Sequence, residues 1–508
     1  MNLSNTTSSN ASWRSDIKSG LVVFLIALPL SLGISIASGA PPSAGLISAV
    51  MGGLIGAYLG GGHVTINGPA AGLIVVVLTA IQNLGQGDPI IGFRRMLACV
   101  VIVGILQIIS GVLKAGRLAA LFPMSVVHGM LASIGLIIMI KQSHVFFGHS
   151  AKGSIISSLV NIPYSAMNQV IESTIIGLVS LAILLIYPRL KFSLTNVIPA
   201  PLIVALGGIG LGMYLHPLGM VNIPTNISDF LIFPLFDVIF STYSILAIIT
   251  IFFVASLESI LSASAVDQLD PLGRETNFNK ELWSKGLVNL FCGLIGGLPI
   301  IAEIVRSSAN ISQGARTPLS NFSHSLFILI FILAFPSVLN MIPLSALAAI
   351  LILVGFRLAH PKQFMEMWHL GINSFIAFAV TIVVTLTEDL FLGVLAGLIV
   401  KCVLFLLSGS KLSNLFKPKY EILDEGNKAL INFEGAITFL SALKQKEIFL
   451  EVSKYKEIKI DLTSVTFIDP TSLSIINQES AKITKNGGVI IISLPEKYQA
   501  LMIHLKGH

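Results

Sequence analysis

Apolar runs long enough to cross or half-cross a bilayer recur about fourteen times between residues 18 and 408, where a spanning helix needs ~20 largely apolar residues. The series opens with 18–38, 44–60 and 68–83 and closes with 371–387 and 390–408. After Lys411 the pattern changes. Ala429–Phe433, Ile458–Leu462 and Val489–Ser493 read as short strands, the last two as the buried middle of a small sheet. Phe439–Leu450 and Pro470–Lys485 read as helices, with Asn486-Gly487-Gly488 as a turn. The pattern predicts a polytopic α-helical membrane protein with a 1–17 cytoplasmic tail, a 18–410 transmembrane domain and a small α/β domain over 421–508.

Two stretches interrupt the apolar series in corresponding places. One is Gly60-Gly61-Gly62-His63-Val64-Thr65-Ile66-Asn67-Gly68-Pro69-Ala70-Ala71-Gly72, where Gly68-Pro69 is a natural helix opening. The other, Phe291–Thr317, contains Gly296, Gly297 and Pro299 and then the charged residues Glu303 and Arg306. A plain spanning helix avoids charge at its centre, because burying an ion in hydrocarbon costs several kcal/mol on most scales. Each stretch therefore reads as extended backbone leading into a half-helix, whose free N–H groups and positive dipole end favour an anion. A re-entrant loop held only by packing is the plainer alternative. Each break follows a Gly-Leu-Ile-Gly tetrapeptide, at 53–56 and 293–296. Seven segments over about 18–215 and seven over about 238–408 make an inverted repeat, with two half-helix N-termini facing one midplane site.

Composition narrows the class. With 54% hydrophobic residues, 11% charged residues and a mean hydropathy of +0.87, the chain is no ordinary soluble protein. The formal charge of +6 comes from the membrane part, since 421–508 holds ten Lys against eleven acids. That places the basic loops against anionic lipid and not on a nucleic-acid surface. Arg14, Lys18, Lys114, Arg117, Arg189, Lys191, Arg274, Lys280, Arg357, Lys362 and Lys411 to Lys419 fall on one side, so both termini read as cytoplasmic in a bacterial inner membrane. Arg94 and Arg95 fall on the other side. Cys99, Cys292 and Cys402 lie in apolar runs and fit neither a disulfide framework nor a metal spacing. There is no P-loop, CxxC or His-x-x-His, so no cofactor and no membrane enzyme is expected. A channel is the closer rival.

Among intramembrane polar residues, Arg306 reads either as support for an anion or as a structural partner of Glu303 one helical turn earlier. Glu258 reads as functional, against a neutral carboxyl bridging two helices. His128 and Gln107 fit interhelical hydrogen bonds. The glycines at 45, 52, 53 and 56 fit close helix packing.

These residues resemble the SulP anion permeases, whose relatives include plant sulfate transporters and prestin. Ala27-Leu28-Pro29 with Ala37-Ser38-Gly39-Ala40-Pro41-Pro42 is similar to that family's first-helix signature, and Asn67-Gly68-Pro69 to its third-segment Gly-Pro. Gly296-Gly297-Leu298-Pro299, Arg306-Ser307, Asn310 and Gly314-Ala315-Arg316-Thr317-Pro318 resemble its tenth-segment block. Asp461-Leu462, Phe467-Ile468-Asp469 and Gly487-Gly488 are similar to its C-terminal STAS domain, in a short copy. The resemblance implies a core and a gate domain, a homodimer, and an anion held between segments one, three and ten. In this chain those positions are Leu30, Ser31, Ile34, Asn67, Gly68, Pro69, Ala70, Ala302, Glu303, Ile304 and Arg306. Leu30 stands where relatives often have glutamine, Ala70 where they often have an aromatic, and Glu303 where many have a small residue. By resemblance, Asp at position 258 goes with sodium, and the longer Glu258 points to protons. Ser262 would add an oxygen ligand if the ion is sodium. Soluble STAS relatives phosphorylate a serine after the Asp, where this chain has Pro470. Thr471 and Ser472 remain as acceptors in its place, with a solvated helix start as the plainer reading. The expected function is proton-coupled, alternating-access transport of bicarbonate or sulfate. Sodium symport, anion exchange, a channel and dicarboxylate transport are the alternatives.

Overall fold

The computed structural model describes residues 7–151, 153–190, 198–224, 226–407, 418–424, 426–485, 487–496, 498–499 and 502. Asn5, Lys191, Lys411 to Lys417 and Asn486 lie outside the described residues. In chain order come α1 (Thr7–Ala37), α2 (Pro42–Leu54), β1 (Ile66–Pro69), α3 (Ile74–Gly85), α4 (Pro89–Val112), α5 (Met124–Phe146), α6 (Ile171–Ile186) and α7 (Ala200–Leu215). They are followed by α8 (Thr242–Leu269), α9 (Phe278–Ile295), β2 (Ile300–Glu303), α10 (Ile304–Ser312), α11 (Leu319–Ala334), α12 (Leu344–Leu358), α13 (Ile372–Thr387) and α14 (Leu390–Leu407). The last domain contains β3 (Lys419–Asp424), β4 (Lys428–Ile437), α15 (Ala442–Val452), β5 (Glu457–Asp461), β6 (Val465–Ile468), α16 (Pro470–Lys485) and β7 (Val489–Ser493). Among the described residues, seven helices are long and apolar enough to cross a membrane, and six apolar helices are shorter.

Local chemistry sets the helix ends. Asp88 caps α4, its Oδ1 accepting from Ile90 N at 2.8 Å and Ile91 N at 3.1 Å, with Pro89 at the first helical position. Asn277 caps α9 in the same way, accepting from Asn279 N and Lys280 N. At its other end α9 stops at Gly296, whose φ of +97° is one that a side chain would resist. The stretch expected to be a tail is helical from Thr7. Its Asp16 is buried, accepting from Arg316 N at 2.7 Å and Thr317 Oγ1 at 2.6 Å.

The chain forms two compact units, Met1–Gly116 with Ile134–Ala359, and Arg117–Ser133 with His360–His508. In the first, α4 and α9 meet along a glycine seam. A methyl group added at Gly286 would stand 2.5 Å from Ile108 N and 2.6 Å from the Gly104 carbonyl oxygen. One at Gly293 would stand 2.8 Å from Val101 N. These neighbours are backbone and cannot rotate away, so the seam depends on bare Cα atoms. Arg94 and Arg95, the basic pair at odds with the charge pattern, pin the loop before α8. Arg95 pairs with Asp237 at 2.6 Å, and Arg94 Nε donates to the Phe233 carbonyl at 3.1 Å.

In the second unit the sheet order is β3-β4-β5-β7, with β6 also on β4. Only the β3–β4 pair is antiparallel. Ile431, Phe433, Ile458 and Ile460 join Leu473 and Ile476 of α16 in the core. The expectation of a buried middle holds for β5 and fails for β7. Among the described residues no strand follows β7 in the sheet order, so it is an edge that leaves Val489 and Ile491 exposed. The start of α16 is not solvated either. Thr471 Oγ1 accepts from Met124 N at 3.1 Å, Ser472 Oγ accepts from Gln445 Nε2 at 3.0 Å, and both side chains are buried. Lys401 of α14 pairs with Asp469 at 3.0 Å and donates to Ser374 Oγ at 3.1 Å.

Gly286→Ala is expected to destabilise the folded protein by about 1–3 kcal/mol, the usual cost of overpacking. Gly210→Ala in α7, where nothing stands within 4 Å, should be neutral or slightly stabilising. Thermal unfolding of both variants in detergent checks this, and equal midpoints would remove the seam from the account.

Candidate functional site

The two interruptions meet. β1 and β2 pair antiparallel in the register Ile66–Glu303, Asn67–Ala302, Gly68–Ile301 and Pro69–Ile300. Each strand runs directly into a helical turn, β1 through Ala71–Leu73 into α3 and β2 into α10. The two helix openings flank the ladder at opposite ends, separated by roughly 10–13 Å at ~3.3 Å per residue. A two-stranded ladder leaves the outer edge of each strand without a strand partner, and helix-borne side chains take that place. At the Ile66 end Ser307 Oγ bridges the two strands, accepting from Ile66 N at 2.8 Å and donating to the Glu303 carbonyl at 2.6 Å, and Asn310 Nδ2 donates to the Val64 carbonyl at 2.9 Å. Asn321 Oδ1 lies 3.4 Å from Asn67 N, and Asn289 Oδ1 accepts from Ile300 N at 2.6 Å. The loop entering β1 is held by Glu281, whose Oε2 accepts from Gly61 N at 2.7 Å and Gly62 N at 3.2 Å while its Oε1 pairs with Lys285.

On this frame sits Arg306, three residues into α10 and 1% exposed. Its Nε, Nη1 and Nη2 are all enclosed, and none has an acceptor among the described residues. The guanidinium lies against Gly68, where any side chain would collide with Nη1. Glu303 Oε1 is likewise enclosed without a donor, so the sequence alternative of a Glu303–Arg306 ion pair is not what forms. Glu258, on α8, places its carboxyl against Gly72, with Oε2 enclosed and unpartnered. One short run, Gly68 to Gly72, thus makes room for a cation at its first glycine and a carboxyl at its second. Buried polar atoms without partners are few in folded proteins. Ser31 Oγ, Asn67 Oδ1 and His324 Nε2 are also enclosed without a partner among the described residues.

The other expected residues divide. Asn67, Gly68, Pro69 and Ala302 form the ladder itself, and Ala70 is buried just beyond it. Leu30, Ser31 and Ile34 are buried on α1, which packs against β1 and α10. Ser262 is buried one turn beyond Glu258. Ile304 departs from the group, its side chain standing 39% exposed. Gln107 makes the interhelical bond expected of it, accepting from Asn289 Nδ2 at 2.8 Å. His128 Nδ1 has no partner among the described residues. Gly45, Gly52, Gly53 and Gly56 are all closely approached, and Gly52 and Gly56 both press on Asn67.

Sequence reasoning passed over Glu281, Lys285, Asn289, Asn321 and His324. A signal existed for three of them, because 281, 285 and 289 recur every four residues and share one face of α9.

Comparison with known proteins places the chain among anion transporters. A bicarbonate transporter, BicA, of Picosynechococcus is 29% identical over 82% of this chain and 73% of its own length. The chloroplastic sulfate transporter 4.1 of Arabidopsis thaliana is 24% identical over 97% of this chain and 76% of its own. The solved transmembrane domain of a cyanobacterial BicA covers 76% of this chain and 97% of itself, with a TM-score of 0.65 and 27% identity. Such proteins are transporters and not enzymes, and the helices here are those of a multi-pass membrane protein. Residues 13–381 match the sulfate permease family, and the chain belongs to it.

Proposed function

We propose that this protein is a secondary-active transporter of small inorganic anions, bicarbonate or sulfate, working by alternating access with a coupled ion. The observation that carries the reading is the enclosed guanidinium of Arg306, without an acceptor and at the opening turn of α10. An oxyanion there would receive charge-assisted hydrogen bonds and the favourable end of the helix dipole. Leu30, Ser31, Ile34, Asn67, Gly68, Pro69, Ala70, Ala302 and Glu303 would line the rest of the site.

Charge argues for the coupling. Glu258 and Glu303 supply two carboxyls against one guanidinium, so an entering anion adds to a surplus of negative charge unless a proton or a cation comes with it. Glu258 would carry the proton, or Glu258 and Ser262 would hold sodium. The order α1 to α7 and α8 to α14, with β1 and β2 at matching places, favours fourteen segments in a seven-plus-seven inverted repeat. On the same reading the protein is a homodimer in a bacterial inner membrane with both termini cytoplasmic. The C-terminal parallel-stranded domain is its STAS-like unit, and no cofactor takes part.

Proteoliposomes loaded with labelled bicarbonate, sulfate and a dicarboxylate test the substrate class, and failure of all three to accumulate or exchange sinks it. Arg306→Gln is expected to weaken anion binding at least tenfold, since hydrogen bonds to a charged group are worth about 1.5–3 kcal/mol. In anion-free buffer the same variant should be no less stable than the wild type, because a buried cation without a partner has been removed. Thermal unfolding with and without sulfate or bicarbonate reads both effects, and an unchanged anion-dependent shift in the variant would make Arg306 structural.

Glu258→Gln should abolish concentrative uptake and spare anion-for-anion exchange. Wild-type concentrative uptake by the Gln variant removes Glu258 from the mechanism. Uptake driven by a sodium gradient at fixed pH, and not by a pH gradient, keeps the residue and replaces the proton.

A further inference from the structure

A buried chain of side-chain amides joins the helix that carries Glu258 to the strand that leads into Arg306. Asn289 Oδ1 accepts from Ile300 N at 2.6 Å, and its Nδ2 faces the Ile300 carbonyl at 3.4 Å. The same Nδ2 donates to Gln107 Oε1 at 2.8 Å, and Gln107 Nε2 donates to Ser256 Oγ at 3.1 Å. Asn289 and Gln107 are both fully buried.

The need for this chain follows from the outer edge of β2. Ile300 stands opposite Pro69 in the ladder, but its N–H and carbonyl both point away from β1, toward Asn289. Among the described residues no strand pairs with β2 on that side, and Asn289 offers what a strand would offer, one acceptor and one donor side by side. The Ile300 N–H also fixes the polarity of everything beyond it. It requires Oδ1 of Asn289 to face the strand, which turns Nδ2 toward Gln107, which in turn must present Oε1 and send Nε2 to Ser256. An amide flip at either residue would set donor against donor. Ser256 lies two residues before Glu258 on α8, and Ile300 three residues before Glu303.

We infer that Gln107 and Asn289 are positioning residues that lock the register of β2, and with it Arg306, to the α8 segment carrying Glu258. Neither touches the anion. Their contribution is to make the anion site and the coupling carboxyl move as one body. This rests on the anion-transport reading above, and it assigns to two neutral amides a part of the coupling that the charged residues alone do not supply.

Gln107→Met keeps the size of the side chain and cuts the chain in its middle, leaving Asn289 on Ile300. Ser256→Ala cuts it at the far end by removing one hydroxyl. Each variant is expected to raise the half-saturating anion concentration about five-fold, the factor matching one net hydrogen bond of about 1 kcal/mol. The double variant should be no worse than either single one, because both break the same chain. Amide hydrogen exchange over residues 298–306 should speed up in both. A merely structural role predicts lower thermal stability with wild-type half-saturation and a wild-type ratio of coupled ion to anion, and that result overturns the inference. Unchanged exchange over 298–306 in both variants overturns it as well, even if the wild type moves no anion. Faster exchange in a protein that moves none of the tested anions would uphold the mechanical link while the transport reading falls.

Discussion

The membrane half of this protein depends on a four-residue ladder that no sheet completes. In hydrocarbon every backbone N–H and C=O must find a partner inside the protein, because water is absent and each unmet group costs several kcal/mol. Strands β1 and β2 satisfy each other along one edge only. The outer edges fall to Asn289 of α9 and Asn321 of α11, while Ser307 and Asn310 of α10 close the end of the ladder. That demand accounts for polar residues scattered through otherwise apolar helices. It also accounts for the buried Glu281–Lys285 pair, which meets the free N–H groups of Gly61 and Gly62 where the chain turns into β1. Helix α9 thus serves both strands, the first through Glu281 and the second through Asn289.

The two interrupted segments share their geometry and divide the chemistry. The first provides space, because Gly68 and Gly72 are the bare positions against which Arg306 and Glu258 lie. The second provides charge, through Glu303 and Arg306. Charges on both segments would double an already heavy desolvation cost, and glycines on both would leave nothing to hold an ion. One strand pairing can carry an asymmetric site in this way, with the backbone geometry of the two segments shared and their side chains different.

Much of this was legible in the sequence, and the limits have physical causes. Hydropathy periods located the helices, since each run is long and its composition one-sided. The two breaks were visible because Gly-Pro and Gly-Gly-Leu-Pro are incompatible with continuing a helix. What hydropathy cannot carry is pairing. Nothing local says that Ile66–Pro69 and Ile300–Glu303 form a ladder, because neither quartet carries the alternation of a strand and their partners lie more than 230 residues away. The Glu303–Arg306 pair, one of two readings that the spacing allowed, does not close into a hydrogen bond. Glu303 is the residue before the helix and belongs to the strand, so its side chain leaves from extended backbone. The edge position of β7 was equally invisible, as an apolar strand reads the same in the middle of a sheet and at its rim.

The C-terminal unit shows how one misplaced charge can specify an assembly. Lys401 is the only charged residue in the eighteen of α14, and it is buried. Its partners are Ser374 of α13 and Asp469, whose other oxygen accepts from Thr471 N at 2.8 Å at the start of α16. Taking a lysine and an aspartate out of water together yields little net stability, and often none compared with two apolar residues. Its effect is on alternatives, since any other seating of the α/β domain on α14 would leave one of two ions buried without the other. Apolar contacts such as Phe405 on Phe467, with ring centroids 5.5 Å apart, tolerate sliding in a way that this pair does not. Pro470 completes the arrangement. Its missing N–H falls at the first turn of α16, where no hydrogen bond is lost, and Asp469 is left free to cap the helix with one oxygen and hold Lys401 with the other.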